Sequence, residues 1–284
     1  MFDYKNNKIS IIIPVYKPDE KILKDIIKKI KQQTINAQII QNWNMPEAQS
    51  MNVGIKKATG DIIITLAQDC MPSDKRWLEQ LIKPLIEDRN VVAVVSDLYL
   101  PEWYWKKYPF LVKILTISDR RIRKPDMDSR ACAYRKKDLE KAGLFNEDPK
   151  VIGIEIDLHN NLKKMGKLVR SNIRVYHLHK YPSFRKIVST LYDYSKSNGK
   201  VIRTKTTNSI SFWYRIMRAL PIFGFMSILY RYPIETHLRW FPLYIILAAP
   251  VNHIVNIFGF WDGFFFERES KRNTEVLKEQ NNKI

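Results

Sequence analysis

Cysteine is nearly missing: the 284-residue chain has two, Cys70 and Cys132. Two thiols cannot build a disulfide framework, so a reducing, cytosolic setting is the default expectation. The Cys/His spacing of a zinc site does not occur. Glycine is scarce too, at nine residues. Gly54 and Gly60 stand alone, which excludes the glycine-rich phosphate loops of P-loop and dinucleotide-binding proteins. Acids are outnumbered, with 29 Asp+Glu against 48 Lys+Arg and a net charge of +19. That excess favours anionic partners: phosphates, nucleic acid or an anionic membrane face. A secretory leader is not expected, because the opening MFDYKNNKISIII is charged and enters a strand-like run.

What the chain does have is a regular alternation over its first 180 residues. A chain of this length buries one large core or two smaller ones. Ile9–Val15 is a β-branched run closed by Pro14, Tyr16 and Pro18. Glu20–Gln32 repeats Ile and Leu at helical spacing with lysines between. Ala37–Gln41 reads as a strand, Ala48–Ala58 as a helix, and Asp61–Leu66 as a strand. Lys75–Ile86 is helical and Val91–Ser96 strand-like. Asp138–Ala142 and Asp157–Met165 read as short helices, and Val175–His179 as a last strand. This βαβα order predicts a mainly parallel sheet covered by helices. Trp103–Ser118, aromatic and basic, fits neither pattern. The central run Ile62-Ile63-Ile64-Thr65-Leu66 is uncharged and stops near one carboxylate, Asp69, before a polar, proline-containing turn. An apolar run of that kind reads as a strand buried on both faces. A carboxylate at its carboxyl end sits where open α/β sheets bind ligands.

Composition changes near Lys180. The chain has 7 Trp, 14 Tyr and 13 Phe, and 20 of these aromatics lie between Tyr181 and Phe266. Arg185–Arg239 carries 10 Lys+Arg and 2 acids. Basic residues among large aromatics suit nucleic-acid stacking or a membrane interface. Trp240–Trp261 favours the membrane: 22 residues without formal charge and a tryptophan at each end. At about 1.5 Å per residue, such a helix nearly matches a ~30 Å hydrocarbon core. Asn252, His253 and Asn256 form a polar stripe on it and Pro250 interrupts it, so a monotopic or re-entrant segment competes with a true span. Two regions follow: residues 1–180, and a basic, aromatic-rich helical region over 181–284.

Several segments resemble family 2 glycosyltransferases of the GT-A fold. These are Ser10–Tyr16 with its following helix, Asn52-Val53-Gly54-Ile55 leading to Ala58-Thr59-Gly60-Asp61, and Gln68-Asp69-Cys70-Met71-Pro72. Ser129–Arg135 through Gly143–Glu147 is similar to the family's acceptor-side block. Gly153-Ile154-Glu155-Ile156-Asp157-Leu158 is similar to its E-D-x-D-L motif, and Val175–His179 to its closing V-x-H strand. The wording around Gln68-Asp69 looks most like the rhamnosyltransferase-type branch. Departures are visible: Ala67 replaces the first acid of D-x-D, Gln38–Asn42 lacks the usual aspartate, and Ile154 replaces a glutamate.

The resemblance implies a GT-A catalytic domain, a nucleotide-sugar donor and Mg²⁺ or Mn²⁺, both of which take carboxylate and phosphate oxygens. It implies Asp69 as a metal ligand with a histidine, His177 ahead of His179. Glu155 is the implied base for the acceptor hydroxyl, with Asp157 as a second acid in the first helical turn. Pro14 and Tyr16 would lie under the donor base. Asn52 and Gln68 would contact the donor, and Arg130 and Arg135 would hold phosphate by charge-assisted bonds. The resulting expectation is an inverting, metal-dependent transferase acting on a glycan acceptor, lipid-linked, at the cytoplasmic membrane face. A polyprenyl-phosphate sugar synthase is the same-class alternative. A basic nucleic-acid-binding protein is the alternative of another class; the uncharged 22-residue segment argues against nucleic acid as partner.

Overall fold

The computed structural model describes residues 8–117, 121–122, 129–147, 154–204, 209–230, 232 and 238–266. The chain divides into two compact units. The first runs to Tyr99 and returns through Leu178; the second takes Leu100–Ile122 and resumes at His179. The aromatic segment that fits no pattern in the sequence therefore belongs with the later half of the chain.

The first unit is a sheet with helices on its faces. Its strands are β1 (Ile9–Val15), β2 (Gln38–Trp43), β3 (Ile62–Leu66), β4 (Cys70–Pro72), β5 (Val91–Tyr99), β6 (Ala131–Arg135) and β7 (Lys167–His177). Their order across the sheet is β2-β1-β3-β6-β5-β7-β4. β1 pairs in parallel with β2 and β3, and β5 with β7, while β6 runs antiparallel to β3 and β5. The carboxyl ends of β1, β2, β3, β5 and β7 thus share one edge, as the βαβ pattern requires. β1 and β3 are buried along their whole length, consistent with strands covered on both faces.

Local chemistry fixes the helices, of which α6 (Lys136–Ala142) and α7 (Ile156–Met165) follow β6 in the first unit. The Asp19 carboxylate accepts the Ile22 amide at 3.3 Å and starts α1 (Glu20–Lys31), whose last turn carries Lys28, Lys29 and Lys31; both ends suit the helix dipole. α2 (Glu47–Lys57) lies so close to β1 that a Cβ on Gly54 would stand 2.4 Å from Ile12 Cγ2. α3 (Trp77–Glu87) buries Trp77, whose indole N–H donates to Ser96 Oγ at 3.2 Å. Two differences from the sequence pattern matter for the site. The stretch after Asp69 is a short strand, β4, pairing antiparallel with Val175–His177. β7 begins at Lys167, eight residues ahead of the apolar run that marks it, because its first half is polar, with Arg170, Asn172 and Arg174 alternating on an exposed face.

The second unit contains α4 (Glu102–Trp105) and α5 (Phe110–Leu115), followed by α8 (Phe184–Arg203), α9 (Ser209–Arg218) and α10 (Pro221–Tyr230). One further helix, α11, spans Leu238–Phe265, 28 residues, with a π-helical stretch at Tyr244–Ala248. Trp105, Tyr108, Val112, Leu115, Ile187 and Tyr244 share one core. α8 and α11 pack closely: a Cβ on Gly263 would lie 1.9 Å from the Lys196 carbonyl oxygen. Beside that contact, Lys196 Nζ meets Asp262 Oδ2 at 2.5 Å, and Tyr192 Oη donates to the same oxygen at 2.9 Å. α11 is long and apolar enough to cross a membrane by length and composition, and 39% of its most apolar window is buried. Its polar stripe points inward: Asn252 is buried, and Asn256 accepts from Ser195 Oγ at 2.6 Å.

Candidate active site

Asp69 follows β3 by three residues and closes the turn into β4. Its backbone carbonyl accepts the Leu178 amide at 2.7 Å, which ties the end of β7 to the end of β3. His177 is the last residue of β7, opposite Cys70. Its Nε2 lies 3.4 Å from Asp69 Oδ2 and 3.3 Å from Arg130 Nη1. An imidazole nitrogen and a carboxylate oxygen thus converge from His177 and Asp69. Each of Asp69, His177 and His179 offers one donor atom, and these atoms lie within 4.8 Å of one another. His179 joins because β7 ends at His177; past the strand end the alternation of faces no longer governs where a side chain points. Sequence reasoning, which treated both histidines as strand residues, favoured only one of them.

Antiparallel β6 separates the two candidate arginines. The chain enters β6 at the carboxyl edge, where the Arg130 carbonyl accepts the Ala67 amide at 2.8 Å. It leaves at the opposite edge, where Arg135 pairs with Ile62, the first residue of β3. Arg135 is there a structural clamp rather than a phosphate holder. Its guanidinium donates to the carbonyls of Val91, Leu85 and Asp88, and stands 3.4 Å from Asp138 Oδ2.

Four further candidates are engaged by the protein itself. Asn52 is buried and donates to Phe145 O at 2.9 Å and Glu147 Oε1 at 2.7 Å, while its Oδ1 accepts the Phe145 amide at 3.0 Å. Both ends of the amide therefore hold the loop after Gly143, instead of a donor. Gln68 exchanges two 2.9 Å hydrogen bonds with the Tyr16 backbone, bracing the ends of β1 and β3 together. Pro14 is buried in β1 opposite Asn42. Tyr16 is half-buried with Lys17 Nζ 4.9 Å from its ring centre. Lys17 (φ 44°) and Asn44 (φ 56°) both adopt left-handed backbone just past neighbouring strand ends. For lysine that conformation is strained, and such strain gathers at ligand sites.

Glu155 stands immediately before α7 (Ile156–Met165), half-buried, and its carbonyl accepts the His159 amide at 2.8 Å. α7 leads through Gly166 into the start of β7. Behind Glu155, Tyr134 Oη and His159 Nε2 lie 2.8 Å apart in the core. Burial, with Cys132 and the Glu155 charge adding to it, holds the Tyr134 phenol well above its ordinary pKa. Asp157 is exposed and accepts from Asn146 Nδ2 at 3.0 Å, which makes it a first-turn acid. Gly153, at the head of that motif, lies outside the described residues.

Residues 25–143 match the model of Glycosyl transferase family 2. No curated protein matches the chain. Among solved structures, a mannosyltransferase from Pyrobaculum calidifontis, crystallised with GDP-Man and Mn²⁺, is similar at 13% identity and TM-score 0.52, covering 97% of this chain and 80% of its own. TarS (residues 1–349) from S. aureus is similar at 12% identity and TM-score 0.44, covering 90% of each chain. Glucosyl-3-phosphoglycerate synthase from Mycobacterium tuberculosis, with Mn²⁺ and UDP-glucose, is similar at 12% identity and TM-score 0.47, covering 68% of this chain and 78% of its own. Residues 25–143 are thus similar to a family 2 glycosyltransferase domain, and the mixed α/β sheet that carries them has a fold similar to that of the Pyrobaculum calidifontis transferase.

Proposed function

We propose that the protein is an inverting, metal-dependent transferase that moves a sugar from a nucleotide donor to a lipid-linked glycan at the cytoplasmic face of the membrane. The observation that carries this reading is the convergence of Asp69, His177 and His179 at the carboxyl edge of the sheet, with Arg130 beside them. One carboxylate and two imidazoles fit a divalent cation. Nitrogen donors favour Mn²⁺ over Mg²⁺, which prefers an all-oxygen shell. The Pyrobaculum calidifontis neighbour holds Mn²⁺ with GDP-Man, which supports the same pairing here. When bound, the cation supplies Lewis-acid neutralisation of the diphosphate.

The remaining steps belong to the chain. Arg130 offers charge-assisted bonds to the phosphate oxygens. Lys17 and Tyr16, at the end of β1, border the donor, and Gln68 holds that strand end against β3. Glu155 takes the proton of the acceptor hydroxyl as its oxygen bonds to the anomeric carbon, while the bond from that carbon to the diphosphate breaks. A single displacement inverts the anomeric centre. A phosphate acceptor already carries its charge and needs no strong base, so Glu155→Gln separates the two acceptor classes: activity is lost with a hydroxyl acceptor and retained with a polyprenyl phosphate. Membrane docking is supported by the exposed apolar side chains of the second unit, among them Ile222, Phe223, Met226, Ile246 and Phe258. Titration with UDP-, dTDP- and GDP-sugars, with and without Mn²⁺, tests the reading: one nucleotide class binds, and binds tighter with Mn²⁺. Binding of none of them sinks it.

A further inference from the structure

α11 is held to the protein by one face. Past its π-helical stretch, Asn252, Gly259 and Gly263 are buried, while Ile254, Phe258 and Phe265 are exposed at 53%, 67% and 64%. The exposed three recur at i, i+4 and i+11. At about 100° per residue they fall within about 40° of one another, and the buried three lie opposite. The inward face runs along α8. Ile187 shares a core with Tyr244 and Ala248. Further along, a Cβ on Gly259 would stand 2.8 Å from Ser195 Cβ and from the Tyr192 carbonyl oxygen. A Cβ on Gly199 would strike the Phe260 carbonyl. Residue numbers rise together on the two helices, so they lie side by side in one direction for about 18 Å, from Ile187 to Gly199.

That neighbour decides how α11 can meet a bilayer. α8 exposes Arg185, Lys186 and Asp193, and charged side chains at bilayer depth are costly. α11 cannot cross without carrying α8 into hydrocarbon, whereas side-on contact asks only for one apolar face. Apolar exposure continues toward the start of the helix at Leu238, Leu243, Ile246 and Leu247. α10 packs beside it, with the Phe225 and His253 rings 5.6 Å apart, and adds exposed Ile222, Phe223 and Met226. Arg239, also exposed, lies 6.0 Å from the Trp240 ring in the first turn. A basic and aromatic rim on an apolar stripe fits the headgroup and acyl boundary of an anionic leaflet. A second copy would bring +19 against +19, and like charge opposes that pairing.

We infer that α11 lies flat in an anionic leaflet, its Ile254, Phe258 and Phe265 face in the acyl boundary, and does not cross the bilayer. The inference rests on the membrane docking proposed above and uses none of the residues around Asp69. The test puts one nitroxide at a time on the full chain, through Ile246→Cys, Ile254→Cys, Phe258→Cys and Phe265→Cys, with Lys186→Cys on α8 as the water reference. Cys70 and Cys132 are buried and stay unlabelled. The chain is mixed with vesicles of phosphatidylcholine and phosphatidylglycerol, and saturation by oxygen against a nickel chelate reads the depth of each label. The four α11 labels are expected at one shallow depth, about 5–10 Å into the boundary, and the α8 label in water. A depth that peaks at Ile254 and returns to water at Phe265 shows a crossing and overturns the inference, while docking itself survives. Full access of the nickel chelate to all four labels overturns both. Labels immobilised without vesicles, in a chain that sediments as a dimer, give the face to a second copy and also overturn it. Phe258→Glu lowers cosedimentation affinity by about tenfold or more, with circular dichroism unchanged; undiminished affinity contradicts the assigned face. Sugar-nucleotide titration of the same samples keeps the readings apart, since failure there sinks the transferase and leaves the depth result standing.

Discussion

Replacing Arg135 with glutamine tests the reading that β6 carries one arginine to the site and one away from it. The Arg135 side chain is 16% exposed and its Asp138 partner 15%. Its guanidinium meets three backbone carbonyls, at Leu85, Asp88 and Val91, where α3 hands over to β5. Hydrogen bonds to a charged donor contribute about 1.5–3 kcal/mol each and are not additive. Breaking a buried ion-pair network costs about 3–5 kcal/mol. Partial exposure and the surviving hydrogen-bonding capacity of glutamine place the loss near the lower end, at about 3 kcal/mol. For a domain of 150–250 residues each kcal/mol shifts Tm by about 2–4 °C, so the melting temperature falls by roughly 6–12 °C. Differential scanning calorimetry reads that fall, and titration below the new Tm reads donor affinity, which stays as in the parent. Arg130→Gln gives the reverse: a small change in Tm and weakened donor binding. An Arg135→Gln protein that melts normally and binds donor poorly refutes the assignment of the two arginines.

Asn52→Ala leaves the Phe145 amide and carbonyl without their partner, and is expected to cost about 2–4 kcal/mol, read as a lower urea midpoint. Gly263→Ala forces a methyl against the Lys196 carbonyl and destabilises the α8–α11 packing by about 1–3 kcal/mol or more; faster amide exchange in α8 than in β1 and β3 shows the effect confined to the second unit. The Glu79 carboxyl is held below its ordinary pKa, first by the Arg76 hydrogen bond and then by Thr34. A depressed folded pKa stabilises above the unfolded value and is lost as pH falls through the folded one. Glu79→Gln therefore narrows the stability gap to the parent only in acid, below about pH 4.3, as paired melts at pH 7 and pH 3 show.

The sheet was legible because its parts are written locally. Ile9–Val15 and Ile62–Leu66 are apolar without interruption, and the helix between them repeats at 3.6 residues. The short strand β4 was not legible, since Cys70-Met71-Pro72 is strand only by pairing with Val175–His177. Nor was the place of Leu100–Ile122, whose apolar residues find their core with Ile187, Ile228 and Tyr244 far along the chain. Asp69 and His177 were readable as strand-end residues, and the structure brings their side chains within 3.4 Å. Arg135 was not distinguishable from Arg130, because the two stand at opposite ends of one strand and only strand direction says which end faces the site. Asn52 looked like a ligand contact for the same reason that it makes a good clamp: an amide both donates and accepts.

Manganese uptake tests the central claim most directly. The purified chain is loaded with the nucleoside diphosphate it binds best and titrated with Mn²⁺, with free ion followed by electron paramagnetic resonance. The account predicts one bound Mn²⁺ per chain, weakened by His177→Gln and abolished by Asp69→Asn, with melting of both variants unchanged. Undiminished uptake by Asp69→Asn contradicts it.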